Sequence, residues 1–443
     1  MIDWNNRRLF RLFWPLVVEQ LLAVTMGAAD TMMVRYVGEA AVAGVNIIDN
    51  INNLFIIAFT ALSTGGAVVV SQYIGRRNED QSRCASRQLY YIVIFAAFAV
   101  MIPAMIWNRL IIRMLYGVID NKVMEAASVY FFITAASYPF LGIYNACAAL
   151  SRAAGNSRIP MGIALMVNVT NIAGNSVFIF GLGLGAEGAA VSTLISRVIA
   201  AAVLTLMLLK QRGAINLSGL LDISFKRAMI GRILKVGIPS GIESSMFQIG
   251  RLLTQRIFST FGTAAMAGNA IASVINAFSY MPGMAFGMGL LTIVGQCVGA
   301  GDYKAAKKYT ARVMKMTYVM LFIISAAIFI FKEPMIGLFY LSEEAHRLTT
   351  ICLSIHCVSM ALSWSMSFVL PNALRAAGDA RFVMIISVVS MFAVRVSSAY
   401  LITYTLGAGP MGVWLAMGLD FIVRGGLNLW RWLGGGWQKM RVI

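Results

Sequence analysis

The side chains best placed to do chemistry are acids and amides inside apolar stretches. Glu19 and Asp30 lie in one run of mostly apolar residues, about Leu12 to Val34. An ionisable group in a membrane span costs roughly 2.5–3.5 kcal/mol on insertion scales and usually marks an ion or substrate path. The two acids are eleven residues apart, close to three helical turns, so they share a similar helix face. Asn168, Asn171 and Asn175 follow spacings of three and four, one face of another helix, and Thr193 lies in the next run. A shielded carboxylate can exchange a proton. Faced with amide and hydroxyl oxygens, it can also hold a hard cation such as sodium, so Asp30, Asn171, Asn175 and Thr193 form a candidate ion-coupling site. The same residues admit a structural reading, as a bonded Asp and amides that tie helices together.

A second group lies in the other half of the chain. Glu243, Arg251 and Arg256 share one apolar run, His356 and Arg395 lie in later ones, and Asp420 and Arg424 stand at i and i+4, the spacing of a structural pair. Glu19, Glu243, Arg251, Arg395 and His356 are candidates for lining a substrate cleft. A bonded bundle residue is the plainer reading of His356. There is no nucleophile elbow, P-loop, HExxH or dinucleotide fingerprint, which argues against an enzyme and against transport driven by ATP bound to this chain. No organic cofactor is expected; H+ or Na+ would be the coupling ion. The five cysteines are odd in number, sit mostly in apolar runs and have no zinc spacing.

What must position these residues is set by composition. Of 443 residues 59% are hydrophobic and only 12% charged, against about 25% charged in soluble domains, and the mean hydropathy is +0.77. Lipid has to cover that much apolar surface. The net charge of +18 sits mostly in short connectors, which marks cytoplasmic loops rather than a nucleic-acid patch. Twelve runs are long enough to span a bilayer, near 12–34, 48–74, 88–108, 126–149, 159–181, 187–209, 236–258, 266–298, 313–331, 349–373, 382–404 and 409–430. Basic residues precede the first run (Arg7, Arg8, Arg11), follow the even-numbered ones (among them Arg76, Arg77, Arg152, Lys210, Arg212, Lys304, Lys308) and close the chain, whereas acids such as Glu333, Glu343 and Glu344 occupy alternate connectors. Both termini are therefore expected in the cytoplasm of a bacterial inner-membrane protein.

At a shift of 224, Pro15 meets Pro239, Glu19 meets Glu243, Gly38 meets Gly262, Gln72 meets Gln296 and Gly75 meets Gly299. At a shift of 223, the Arg152–Gly155 stretch Arg-Ala-Ala-Gly reappears at Arg375–Gly378. Polar and conformationally special residues matching in register indicate duplication. Six runs per half give both halves the same orientation, parallel repeats of the kind used for alternating access around a cleft. The expected organisation is a six-helix lobe over residues 1–209, a connector over 210–235 and a second six-helix lobe over 236–443, all α-helical.

The run Met26–Val34 with Gly38, Gly237–Ser240, Phe261–Gly268, Val294–Gly301 and Arg375–Asp379 resemble the multidrug and toxic compound extrusion (MATE) family, in order and spacing over nearly the whole chain. The resemblance implies two six-helix lobes forming a V. It also implies export of small organic, cationic and amphipathic substrates in exchange for Na+ or H+. Asp30 would belong to the cation site with Asn171 and Thr193, and Asn175 stands where the family carries an acid. Phe247 stands near a place in the seventh helix where some members carry one. A monomer in contact with membrane lipid, with no nucleic-acid partner, is the expected state. A lipid-linked oligosaccharide flippase of the same wider superfamily is the alternative, with Arg251, Arg256 and Arg395 meeting phosphate.

Overall fold

A computed structural model describes residues 4–211, 213–220 and 222–443; Arg212, counted above among the connector cations, lies outside them. Among the described residues the secondary structure is helical, with no strand. The first half holds α1 (Asn6–Val34), α2 (Glu39–Gly75), α3 (Glu79–Ile106), the short α4 (Asn108–Tyr116), α5 (Asn121–Ala136), α6 (Tyr138–Ala153), α7 (Arg158–Asn175) and α8 (Gly185–Lys210). The second holds α9 (Arg227–Ser259), α10 (Gly262–Gly299), α11 (Tyr303–Gly337), α12 (Glu343–Ser359), α13 (Leu370–Ala376), α14 (Ala380–Val389), α15 (Ser397–Tyr400) and α16 (Met411–Leu433).

All twelve expected runs are helical. Nine helices among the described residues are long and apolar enough to cross a membrane by themselves. A tenth span, the fourth run along the sequence, is α5 with α6, bent by 46° at Ser137, where Pro139 enters the first turn of α6. The remaining two are α9 and α16, whose apolarity is diluted by Lys235, Glu243, Arg251 and Arg256 in one and by Asp420, Arg424 and Arg431 in the other. Several spans widen locally into π-helix, at Ser176–Gly181, Met360–Val369, Ser390–Val396 and Leu401–Thr405.

The chain packs as two compact units. One is Asn5–Gly241; the other is Ile242–Ile443 with Trp4, whose amide donates to the Tyr309 hydroxyl at 3.2 Å. In the first unit the connector is tied down on α3. Gln88 donates to the Ser224 carbonyl at 2.6 Å and accepts from the Lys226 amide at 3.0 Å, and Tyr91 donates to the Leu220 carbonyl at 2.8 Å. α2 meets the start of α9 so closely that a Cβ on Gly65 would run into the Ile233 carbonyl and come within 2.7 Å of the Gly237 amide nitrogen. That approach requires glycine.

The duplication recurs in local structure. Asn78 caps α3 by accepting from the Gln81 amide at 3.1 Å, and Asp302, 224 residues on, caps α11 by accepting from Ala305 at 2.8 Å. Gly38 and Gly262 both turn the chain with positive φ, and so do Gly155 and Gly378.

Candidate functional site

The N-terminal unit brings together the residues singled out from spacing. α1 carries Asp30, α7 carries Asn168, Asn171 and Asn175, and α8 carries Thr193. Asn175 Nδ2 donates to Asp30 Oδ1 at 2.6 Å and lies 3.4 Å from Asn171 Oδ1. Asn171 Nδ2 in turn donates to Thr193 Oγ1 at 3.3 Å, while Ser192 Oγ donates to the Asn171 carbonyl at 2.8 Å and fixes α8 against α7. Gly174 makes this possible, because a Cβ there would collide with the Ser192 hydroxyl. Asn171 and Asn175 are fully buried and Asp30 is half-buried. Asn168 bonds back to the Ala164 carbonyl at 2.9 Å, a contact within its own helix.

The amide chain leaves one oxygen without work: Asn175 Oδ1 is buried and has no hydrogen-bond partner among the described residues. A buried acceptor without a donor is costly. Beside a carboxylate, it suits a proton-bearing group or a hard cation, both of which need oxygen acceptors. The donor set of carboxylate, amide and hydroxyl oxygens therefore fits H+ or Na+.

Two ionisable residues not picked out from the sequence belong to this neighbourhood. Asp49 of α2 and Arg197 of α8 act electrostatically on Asp30, and Arg197 acts on Asp49 as well. Tyr130 donates to Asp49 Oδ1 at 3.3 Å, Tyr138 to Asn52 Oδ1 at 2.8 Å, and Arg197 to the Ser137 hydroxyl at 2.6 Å. The signal was present. Both residues are charges within or at the start of apolar runs, as Asp30 is.

Glu19 and Glu243, named above as cleft acids, are buried and each hold a half-buried arginine. Arg152 reaches Glu19 at 2.7 Å, and Arg375 reaches Glu243 at 2.7 Å. The same pair is thus built twice, from residues matched by the duplication. The copies differ in detail: Arg375 reaches both Glu243 oxygens at 2.7 Å, whereas Arg152 reaches Glu19 Oε1. Glu243 also accepts from Ser387 at 2.8 Å, whereas Glu19 Oε2 is buried without a partner among the described residues.

In the C-terminal unit His356 is buried, with Nε2 3.1 Å from the Ser279 hydroxyl and its ring edge-on to Trp414. Asp420 and Arg424 pair at 3.2 Å, as their spacing suggests. Arg395 is buried beside Phe247, 5.6 Å from the ring centre, while Arg251 and Arg256 are exposed on α9.

The MatE family model matches the chain twice, over residues 15–177 and 239–401. The two matches start and end 224 residues apart, the same shift that aligns the halves. "Uncharacterized transporter YisQ" of Bacillus subtilis is 28% identical, covering 97% of this chain and 94% of its own. The "Probable multidrug resistance protein NorM" of Thermotoga maritima is 26% identical over 99% of this chain and 94% of its own. Among solved structures, a MATE protein crystallised in a bent conformation superposes with a TM-score of 0.90, covering 98% of this chain and 96% of the other at 19% identity.

Proposed function

This chain belongs to the MatE family, and on that premise we propose that it is a secondary-active exporter exchanging H+ or Na+ for small organic substrates by alternating access. That it is a multi-pass membrane transporter of the multidrug-efflux type follows from the family. The bacterial inner membrane with both termini cytoplasmic, and cationic amphipathic substrates, belong to the same proposal.

One observation carries it: Asp30 accepts from the Asn175 amide nitrogen at 2.6 Å, while the oxygen of that same amide is buried without a donor among the described residues. H+ or Na+ arriving there neutralises a carboxylate that is expensive to keep charged in a low-dielectric interior. Asn171 and Asn175 need only rotate their amides to present oxygen in place of nitrogen. Occupied and empty states then differ in charge, and a cation with differential affinity for two arrangements of the helices shifts the balance between them. Asn175 in place of an acid leaves Asp30 alone on the α1–α7 contact. Asp49 supplies a second carboxylate from α2, and Arg197 offsets one of the two, so the three groups sum to a single negative charge.

The test is transport by the purified chain in vesicles, with sodium and pH gradients imposed separately. Asp30→Asn is expected to reduce gradient-driven efflux of a fluorescent organic cation to the level of empty vesicles, while the protein still elutes as a single folded species. Undiminished efflux by that variant would remove Asp30 from the coupling role.

A further inference from the structure

Three half-buried arginines each have an acid of their own. Arg152 has Glu19, Arg375 has Glu243 and Arg431 has Asp379. Arg395 breaks the pattern. It is 7% exposed, and its buried Nε has no hydrogen-bond partner among the described residues. The charged groups acting on it are Asp420, Arg424 and Arg251. Asp420 is already engaged, accepting from the Ser390 hydroxyl at 2.5 Å through Oδ1 and from Arg424 at 3.2 Å through Oδ2. Arg424, 2% exposed, likewise keeps a buried Nε without a partner. Two buried guanidiniums thus share one carboxylate, and a positive charge is left over. Uncompensated charge in a membrane interior is strongly disfavoured, and cation–π contacts offset only part of it.

The surroundings are specific as well as positive. Phe247 lies 5.6 Å from Arg395 and 5.5 Å from Arg424, and Arg424 lies 4.2 Å from the centre of Phe368. Phe368 stacks on Trp364 at 4.9 Å, and Trp364 on Tyr280 at 6.0 Å, so a lane of flat rings leads away from the cations. Arg395 and Trp364 both project from π-helical stretches, Ser390–Val396 and Met360–Val369, a distortion that recurs at functional sites. Next to the first stretch, Gly250 lets α9 approach where a Cβ would collide with Met391.

We propose that Arg395 and Arg424 form a seat for an anionic group, a carboxylate or phosphate, on an organic molecule whose flat apolar body lies along Phe247, Phe368, Trp364 and Tyr280. Guanidiniums suit such a group because their N–H fork matches two oxygens at once. The seat goes beyond the exporter reading. It adds anionic ligands to the cationic ones implied by the family, and its occupancy does not depend on ion coupling.

The test is calorimetric titration of the full chain in phosphatidylcholine nanodiscs with 1-naphthoate, its neutral amide 1-naphthamide, and 1-naphthylmethylammonium. The acid is expected to bind about tenfold or more tightly than the amide, the scale of one charge-assisted contact, and the ammonium more weakly than either. Arg395→Gln should erase the preference for the acid, and Arg395→Lys should restore part of it. Equal affinity of acid and amide in the native protein would overturn the seat whether or not any variant folds. So would an undiminished preference in folded Arg395→Gln. Competition by phosphatidylglycerol nanodiscs would assign the seat to a lipid headgroup, and its absence to a soluble organic anion; both keep the anionic chemistry. Asp30→Asn separates the two readings. Efflux that survives that substitution sinks the coupling role alone, and loss of the acid preference in the native protein sinks the seat alone.

Discussion

Arg152 and Glu19 meet at 2.7 Å with their side chains 15% and 9% exposed, so removing either partner strands a charge away from water. Arg152→Met is expected to destabilise the protein by roughly 3–5 kcal/mol, the cost of a broken buried pair. The double variant Glu19→Gln/Arg152→Met should recover most of that loss. Thermal unfolding in detergent, followed by fluorescence, reads both, and a double variant no better than the single would show that the pair contributes through something other than charge balance. Asp30 and the asparagine face were legible in the sequence because intramembrane polar groups are rare and helical spacing fixes their side. Arg152 was legible only as a topology signal, since its position after a span also suits a cytoplasmic loop. Only side-chain placement shows that it turns inward. Asp49 and Arg197 obeyed the rule that found Asp30, and were missed because nothing in spacing linked them to it.

At the scale of elements, the two halves solve the same turn differently. The second helix of each half ends in a left-handed residue, Gly301 in one copy (φ 77°) and Arg77 in the other (φ 57°). A side chain pays for that conformation and glycine does not. Arg77→Gly should therefore be tolerated, raising stability by up to about 1 kcal/mol, and a clear drop in melting temperature would show that the Arg77 side chain outweighs its backbone strain. Hydrophobic run length located all twelve spans. It did not separate α5 from α6, whose 46° bend depends on one proline and leaves apolarity unbroken. Nor could it foresee the π-helical stretches. One extra residue per turn barely disturbs an apolar pattern that lipid makes hydrophobic on nearly every side, yet these stretches carry Trp364 and Arg395.

For the molecule as a whole, the alternation of basic and acidic connectors sets the expected orientation. All five native cysteines are buried, which leaves a clean background for labelling. Lys308 and Glu343 are both exposed, at opposite ends of the span formed by α11. In intact bacterial cells a membrane-impermeant thiol reagent should modify Glu343→Cys, and should reach Lys308→Cys only after permeabilisation. The reverse pattern would invert the topology. The doubled sequence was legible, because proline, glutamate and glycine matched in one register. The packing of the connector on α3 was not, since it rests on backbone carbonyls that any sequence supplies. The twin ion pairs have a historical corollary. Each buried glutamate finds its arginine within its own half, so in a half-length ancestor this pair would already have been closed before its gene doubled. The descendants could then drift apart elsewhere, one copy gathering amides around an acid and the other surplus guanidiniums, while each kept its own glutamate–arginine pair.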